Sequence, residues 1–248
     1  MSEIVVIFGK RGTGKTASNT NFALANLLDH NNYLKSKEMC ESLFGENFNI
    51  PFEHTVYSNY RMTSPYGYPT YPVDPFKMVL PNQGLEYEIY VPFASFHIQE
   101  GQIYWNSKKK LNRAISGFFE NSRHAHFNIY IDVQRPMNIH KDIRELVDRF
   151  ITVLSIEHTR NNQGKILKTV WHCLEFEDNV TVEKYLESGD ETLGTKTSYE
   201  FIGNIFNYYN SFDNIKLFYP DGELPRFYSW SEFEINPTPP YGYYIGDK

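Results

Sequence analysis

The sequence predicts an α/β fold in which a mostly parallel central sheet is flanked by helices. Three observations carry that expectation. An unbroken β-branched and aromatic run, Ile4–Phe8, has the texture of a strand covered on both faces. A glycine-punctuated stretch, Gly9–Thr16, follows it and gives way to helical spacing. Strand-like and helix-like segments then alternate as far as Phe176.

Taken in order, Ala17, Phe22, Ala23, Leu24, Leu27 and Leu28 recur at near-helical spacing, so a helix is expected from about Gly14 to Asp29–Asn32. His54–Tyr60 reads as a second strand. The stretch from Met62 to Pro81 is crowded with Pro, Tyr and Gly and reads as an ordered insertion. Tyr87–Ile98 returns to apolar residues, Ser107–Ser122 reads as a helix, and Phe127–Ile131 as a buried strand running into Asp132, Val133 and Gln134. Asn138–Val147 looks helical, and Phe150–Ile156 and Lys168–Phe176 look like strands. A last helix is expected around Tyr199–Tyr209, before a Pro-, Gly- and Tyr-rich end that wraps the core or projects to a partner. The expected organisation is a core over residues 1–176, with an insertion at about 61–88, and a C-terminal extension over 177–248.

The composition is that of a globular chain, with 41% hydrophobic and 22% charged residues in 248. A formal charge of −6 argues against coating nucleic acid over the whole surface and confines any DNA contact to a patch. Lys108, Lys109, Lys110 and Arg113 form the best such patch, which reads first as a solvated helix face. Cys40 and Cys173 are far apart and suggest no disulfide framework. His124, His126 and the His172–Cys173 pair lack a second half-site for zinc and read as structural. The start of the chain has neither the basic residues nor the apolar core of a signal peptide. Ile89–Ile98, interrupted by Pro92, falls well short of the roughly 18 apolar residues of a membrane span, so a soluble, cytoplasmic chain is expected.

Gly9-Lys10-Arg11-Gly12-Thr13-Gly14-Lys15-Thr16 matches G-x-x-x-x-G-K-[ST] between an expected strand and an expected helix. That context makes it a phosphate-binding P-loop. Its glycines permit the tight turn, its N–H groups and the helix dipole attract phosphate, Lys15 reaches the β- and γ-phosphates, and the Thr16 hydroxyl faces Mg²⁺. Hydrolysis needs a carboxylate at the end of a neighbouring strand, and two places qualify. Phe93–Ile98 leads to Gln99 and Glu100; Asn128–Ile131 leads to Asp132, with the look of a magnesium-side aspartate. The first is favoured, because Glu100, then a helix, then a strand ending in Gln134 reproduces a complete ATPase order, with Glu100 as base and Gln134 as γ-phosphate sensor.

With those motifs in place, the sequence resembles the zonula occludens toxin-like (Zot) family of phage assembly and packaging ATPases, of the FtsK–HerA class of P-loop motors. The likeness rests on Gly9–Thr16, on Val56–Tyr60 as a short strand ending near an Asn, on Ile98–Tyr104, and on Arg123-His124 followed by Asp132–Pro136 and Ile143–Val147. It implies a RecA/FtsK–HerA-like fold, ATP and Mg²⁺ as cofactors, and a homo-oligomeric ring in which Arg123 reaches a neighbour's nucleotide as an arginine finger. It also implies viral DNA and phage capsid or assembly proteins as partners, in the host cytoplasm or at a packaging vertex. Two departures stand out: Gln99 occupies the place of the family's Asp, removing a charge from the magnesium shell, and the membrane segment typical of filamentous-phage members is missing.

The resulting expectation is an ATPase that couples hydrolysis to viral DNA translocation, in genome packaging or virion extrusion. The alternative is a nucleotide-binding scaffold or regulatory protein of phage morphogenesis with little hydrolysis, motivated by Gln99. A small-molecule kinase ranks lower for want of an acceptor-binding signature, and a GTPase lower still, since no Asn-Lys-x-Asp occurs in the chain.

Overall fold

The computed structural model describes residues 2–28, 56–64, 70–76, 78 and 93–214, together with the isolated positions 38 and 42; for 211–214 it describes the backbone alone. The strands are β1 (Ile4–Phe8), β2 (Val56–Ser58), β3 (Tyr60–Met62), β4 (Thr70–Pro72), β5 (Ser95–Ile98), β6 (Asn128–Val133), β7 (Arg149–Arg160), β8 (Ile166–Phe176), β9 (Thr195–Glu200) and β10 (Tyr209–Asn214). The helices are α1 (Lys15–Leu27), α2 (Arg113–Asn121), α3 (Lys141–Arg144) and α4 (Asn179–Ser188). Eight strands form one sheet in the order β4-β2-β5-β6-β1-β7-β8-β9. From β4 to β7 every pairing is parallel, and β8 and β9 continue the sheet antiparallel. The expected α/β architecture, a mostly parallel sheet flanked by helices, is what the chain adopts.

The two faces are sorted residue by residue along β1, as strand geometry requires. Val5 and Ile7 pack on Ala17, Ala23, Leu24 and Leu27 of α1. Ile4, Val6 and Phe8 point the other way, towards Ile115, Phe118 and Phe119 of α2, Ile143 of α3 and Val182 of α4. Being covered on both sides explains why Ile4–Phe8 is apolar without alternation.

Several element boundaries differ from expectation. The strand expected over His54–Tyr60 is split at Asn59 into β2 and β3, and its first two residues lie outside the described ones. Part of the Tyr- and Pro-rich insertion is edge strand β4, parallel to β2, a position where Pro72 is tolerated; residues 65–69, 77 and 79–88 of it are not described. The helix expected from Ser107 begins at Arg113, because Asn112 is extended and its side chain accepts from the Ala114 N–H as an N-cap. Lys108–Lys110 therefore sit exposed in turns before α2, not on a helix face. Of the helix expected over Asn138–Val147 only the single turn α3 forms, since Ile139 is extended and His140 caps the turn with its side chain. No helix spans Tyr199–Tyr209: β9 completes the edge of β8, Gly203 takes φ of 59°, and β10 pairs with β3. Here the free edge of β8 outweighed local propensity. The expected wrapping of the chain's last residues falls on 215–248, outside the described ones, as do Asp29–Asn32 at the end of the first helix and the residues of Tyr87–Ile98 before Phe93. Among the described residues no helix is long and apolar enough to cross a membrane.

Candidate functional site

The parallel strands deliver their C-terminal ends to one edge of the sheet. At that edge β1 turns through Gly9–Thr16 into α1. Gly14 closes the turn as the N-cap of α1 with φ of 88°, a left-handed conformation, and a Cβ there would stand 2.6 Å from Ile156 Cδ1. The loop is held at its base by the Gly9 N–H, which donates to the Val133 carbonyl at 3.3 Å. Lys10, Arg11 and Gly12 form an exposed tip, while Lys15 is buried and donates from Nζ to the Lys10 carbonyl at 3.0 Å. Thr13 Oγ1 donates to the same carbonyl at 2.9 Å.

Two strand ends face this loop. β6 supplies Asp132, 1% exposed, whose Oδ2 accepts from Thr16 Oγ1 at 3.0 Å and whose Oδ1 accepts from the Glu100 N–H at 2.8 Å. Burial pushes its carboxyl up to about 6, against the opposing effects of the Glu100 N–H, the Lys15 charge and the Thr16 hydroxyl. β5 supplies Gln99 and Glu100. Glu100 is left-handed, with φ of 54°, and starts a 3-10 turn, Gly101–Ile103, that lies so close on β6 that a Cβ at Gly101 would run into Ile131. The Glu100 carboxylate accepts from Gln102 Nε2 and, at 3.4 Å, from Gln134 Nε2.

Gln99 is fixed through its backbone. Its N–H donates to Asn59 Oδ1 at 2.7 Å, and Asn59 Nδ2 donates to the Gln99 carbonyl at 3.0 Å and to the Tyr104 hydroxyl at 3.0 Å. Asn59, in the gap between β2 and β3, thus sets the direction in which the chain leaves β5.

A cleft of about 880 Å³ opens over the loop, lined by Lys15, Thr16, Gln99, Glu100 and Gln134. Its far wall comes from Ile156 and His158 of β7 and from Phe206 and Tyr209. Sequence reasoning missed that wall, because Tyr199–Tyr209 read as a helix. Of the two strand-end carboxylates weighed from the sequence, with Glu100 favoured over Asp132, the structure brings both to this end of the sheet, joined by the Glu100 N–H donating to Asp132. Thr16 and Asp132 offer hard oxygen donors beside a phosphate loop, which suits Mg²⁺, an ion held through one or two carboxylates, substrate phosphates and retained waters.

Arg123 is not brought to this cleft within one chain. It lies before β6, at the opposite edge of the sheet, where its Nη2 pairs with Asp148 Oδ1 at 2.6 Å. Asp148 also accepts from the Ile4 N–H at 2.9 Å, which marks that edge as the one where strands begin. At the same edge His126 stacks on Phe93 with ring centroids 4.6 Å apart. His172 contacts Ser198 and Glu157, and no group of three or more His, Cys, Asp or Glu suited to a metal ion occurs among the described residues.

The sequence matches no protein-family model and no curated protein. Among solved structures, the N-terminal domain of zonular occludens toxin from Neisseria meningitidis overlays with a TM-score of 0.51 at 14% identity, over 85% of this chain and 100% of that one. The chain has the fold of that domain. The resemblance to the Zot family is therefore borne out at the level of fold. The genome packaging NTPase B204 from Sulfolobus turreted icosahedral virus 2, in complex with ATP-gammaS, overlays with a TM-score of 0.39 at 15% identity, over 81% of this chain and 97% of that one. Its sulfate complex gives 0.40 at 14% identity, over 82% and 98%. The shared fold rests on the toxin domain.

Proposed function

We propose that this chain is an ATPase that couples ATP hydrolysis to the movement of viral DNA, in genome packaging or virion assembly. The observation that carries the proposal is the gathering of Lys15, Thr16, Glu100 and Gln134 at one sheet edge around a single cleft, on the fold of a Zot domain. Gly9–Thr16 present backbone N–H groups at the start of α1 to the β- and γ-phosphates, and Lys15 adds its ammonium. Thr16 would hold Mg²⁺, which when bound would supply charge neutralisation at the phosphate oxygens. Glu100, half-buried and oriented by Gln102 and Gln134, takes the proton of the attacking water. Gln134 bonds to that carboxylate and lines the same cleft, so the presence of a γ-phosphate reaches Glu100 through it.

The motor acts as a homo-oligomeric ring, with Arg123 acting on a neighbour's nucleotide and capsid or assembly proteins docking it at the packaging vertex or in the host cytoplasm. DNA is contacted locally, in keeping with the net charge of −6, through exposed Lys108–Lys110 and Arg113.

The deciding experiment compares wild type with Glu100→Gln in the presence of DNA and Mg²⁺. The variant is expected to bind ATP and to lose about 10²- to 10⁴-fold in turnover, the usual worth of a general base. A wild-type rate no faster than the variant's overturns the motor and leaves a nucleotide-binding scaffold of morphogenesis.

A further inference from the structure

β7 and β8 are longer than the sheet they belong to. β1 accompanies β7 only as far as Thr152, and β9 accompanies β8 only from Val170. Among the described residues, Glu157–Lys168 therefore form a ribbon of two strands with both edges unpaired. The ribbon leaves the end of the sheet where the parallel strands finish, and apart from Asn161 its residues are exposed. A two-stranded ribbon standing alone buries too little apolar surface to hold itself. This one is rooted on the nucleotide loop: the Ile156 side chain lies over Gly14, and His158 lines the same cleft, with its Nδ1 at 2.9 Å from Thr169 Oγ1 across the ribbon.

Its chemistry is unlike that of the chain as a whole. The formal charge is −6 over 248 residues, yet Glu157–Lys168 carry Arg160, Lys165 and Lys168 against the single acid Glu157. Lys168 is paired with Glu200 at 2.6 Å and Glu157 with His172 at 3.4 Å, so Arg160 and Lys165 are the cations of the tip. The Asn161 side chain shapes the turn between them, accepting from the N–H groups of Gln163 and Lys165 at 3.0 and 2.9 Å. Arg160 gives one of its donors to the Gly164 carbonyl, and Asn162 and Gln163 are exposed at the tip. The major groove of a DNA duplex admits a two-stranded ribbon, in which flanking cations meet phosphates and amide side chains meet base edges. The exposed turn Lys108–Lys110 leaves the same end of the sheet, since the Ser107 N–H just before it donates to the Asn138 carbonyl beyond β6.

We propose that the β7–β8 ribbon is a DNA-contacting arm, which sets Arg160 and Lys165 on the phosphates of a duplex with Asn162 and Gln163 in its groove. The proposal rests on the DNA-moving reading above and adds a second contact to the one at Lys108–Lys110 and Arg113. Because its root lies on Gly14 and in the nucleotide cleft, the arm ties DNA engagement to the state of the loop.

The test is the affinity of the full chain for a fluorescein-labelled DNA duplex, followed by anisotropy between about 50 and 200 mM salt. Arg160→Gln with Lys165→Gln is expected to lower the log–log salt slope by about two and to weaken binding at least about tenfold at the lower salt. Turnover without DNA should stay at the wild-type rate, and its stimulation by the duplex should be lost. Lys184→Gln with Lys196→Gln removes the same charge from exposed sites on α4 and β9, and is expected to leave the slope unchanged. A ribbon variant that behaves like this control overturns the arm; loss of duplex binding on changing Lys108, Lys109 and Lys110 to Gln then leaves the DNA reading standing without it. Wild type that binds no duplex at about 50 mM salt overturns both. Ile166 and Leu167, 41% and 64% exposed, give the ribbon a rival occupant in a second copy of the chain. Assembly lost in the ribbon variant without DNA, read by sedimentation and with the salt slope kept, assigns the ribbon to that copy and overturns the proposal.

Discussion

His97 shows how a single buried residue sets the acid response of the core. It is fully enclosed on β5, with Nδ1 at 2.7 Å from Asn19 Oδ1, Nε2 at 3.1 Å from Ser95 Oγ, and its ring stacked on Tyr130 at 4.8 Å. Burial pushes it from 6.5 down to about 3. A folded-state value below the unfolded one means that the stability it contributes is full above about pH 6.5 and is lost as pH falls towards 3, at about 1.4 kcal/mol per pH unit. Asp132, raised by burial to about 6, works in the opposite sense between about 6 and 3.8, so the pH profile of wild type alone is uninformative. The difference in urea unfolding free energy between wild type and His97→Gln isolates the imidazole. It should shrink between pH 7 and pH 5; an unchanged difference would show that His97 is not held neutral. At this scale the sequence was uneven as a guide. Lys15 and Thr16 were legible because the loop fixes their spacing, whereas the partner of Thr16 was not, because the choice between Glu100 and Asp132 depends on which strand lies next to β1.

Between elements, the main coupling at the site runs through Asn59. Its amide joins the end of β2 to the end of β5 and reaches Tyr104 beyond the 3-10 turn. Asn59→Ala leaves the N–H and carbonyl of Gln99 without that partner, which costs about 1–3 kcal/mol for a buried group. Because Glu100 follows directly, turnover should fall by a larger factor than ATP affinity. Equal losses in the two would make Asn59 a support of the fold alone. Strands with both faces covered, such as β1 and β6, were readable from apolar runs. β9 was not: its Thr, Ser and Tyr residues face an exposed edge, and only the unpaired side of β8 tells the chain to extend there. The late start of α2 likewise hangs on one capping side chain, Asn112, inside a run that otherwise looks helical.

For the whole molecule, the parallel strands divide the candidate site residues between two ends. P-loop, Glu100, Asp132 and Gln134 gather where the strands finish, and Arg123 lies where they begin, 63% exposed and paired with Asp148. If Arg123 completes a neighbour's site, Arg123→Ala should bind ATP normally and hydrolyse poorly. Mixing it with Lys15→Ala, itself unable to bind, should then recover part of the activity, because some interfaces join an intact loop to an intact arginine. No recovery in the mixture, measured at concentrations where a ring assembles, would rule out action in trans. The fold class followed from the order of elements alone, since short right-handed crossovers leave few ways to arrange them. The placement of Arg123 at the end away from the other candidate residues did not, because it depends on which residues fall before and which after each strand.

The P-loop also carries a consequence for the strength of binding. The Lys15 ammonium and the Thr13 hydroxyl both rest on the Lys10 carbonyl. On the proposed function, a nucleotide would draw the Lys15 ammonium from the Lys10 carbonyl towards a phosphate. A rotamer change of that kind takes picoseconds to nanoseconds, so under the proposed function it would leave the rate of association at that of the encounter and be felt in affinity instead.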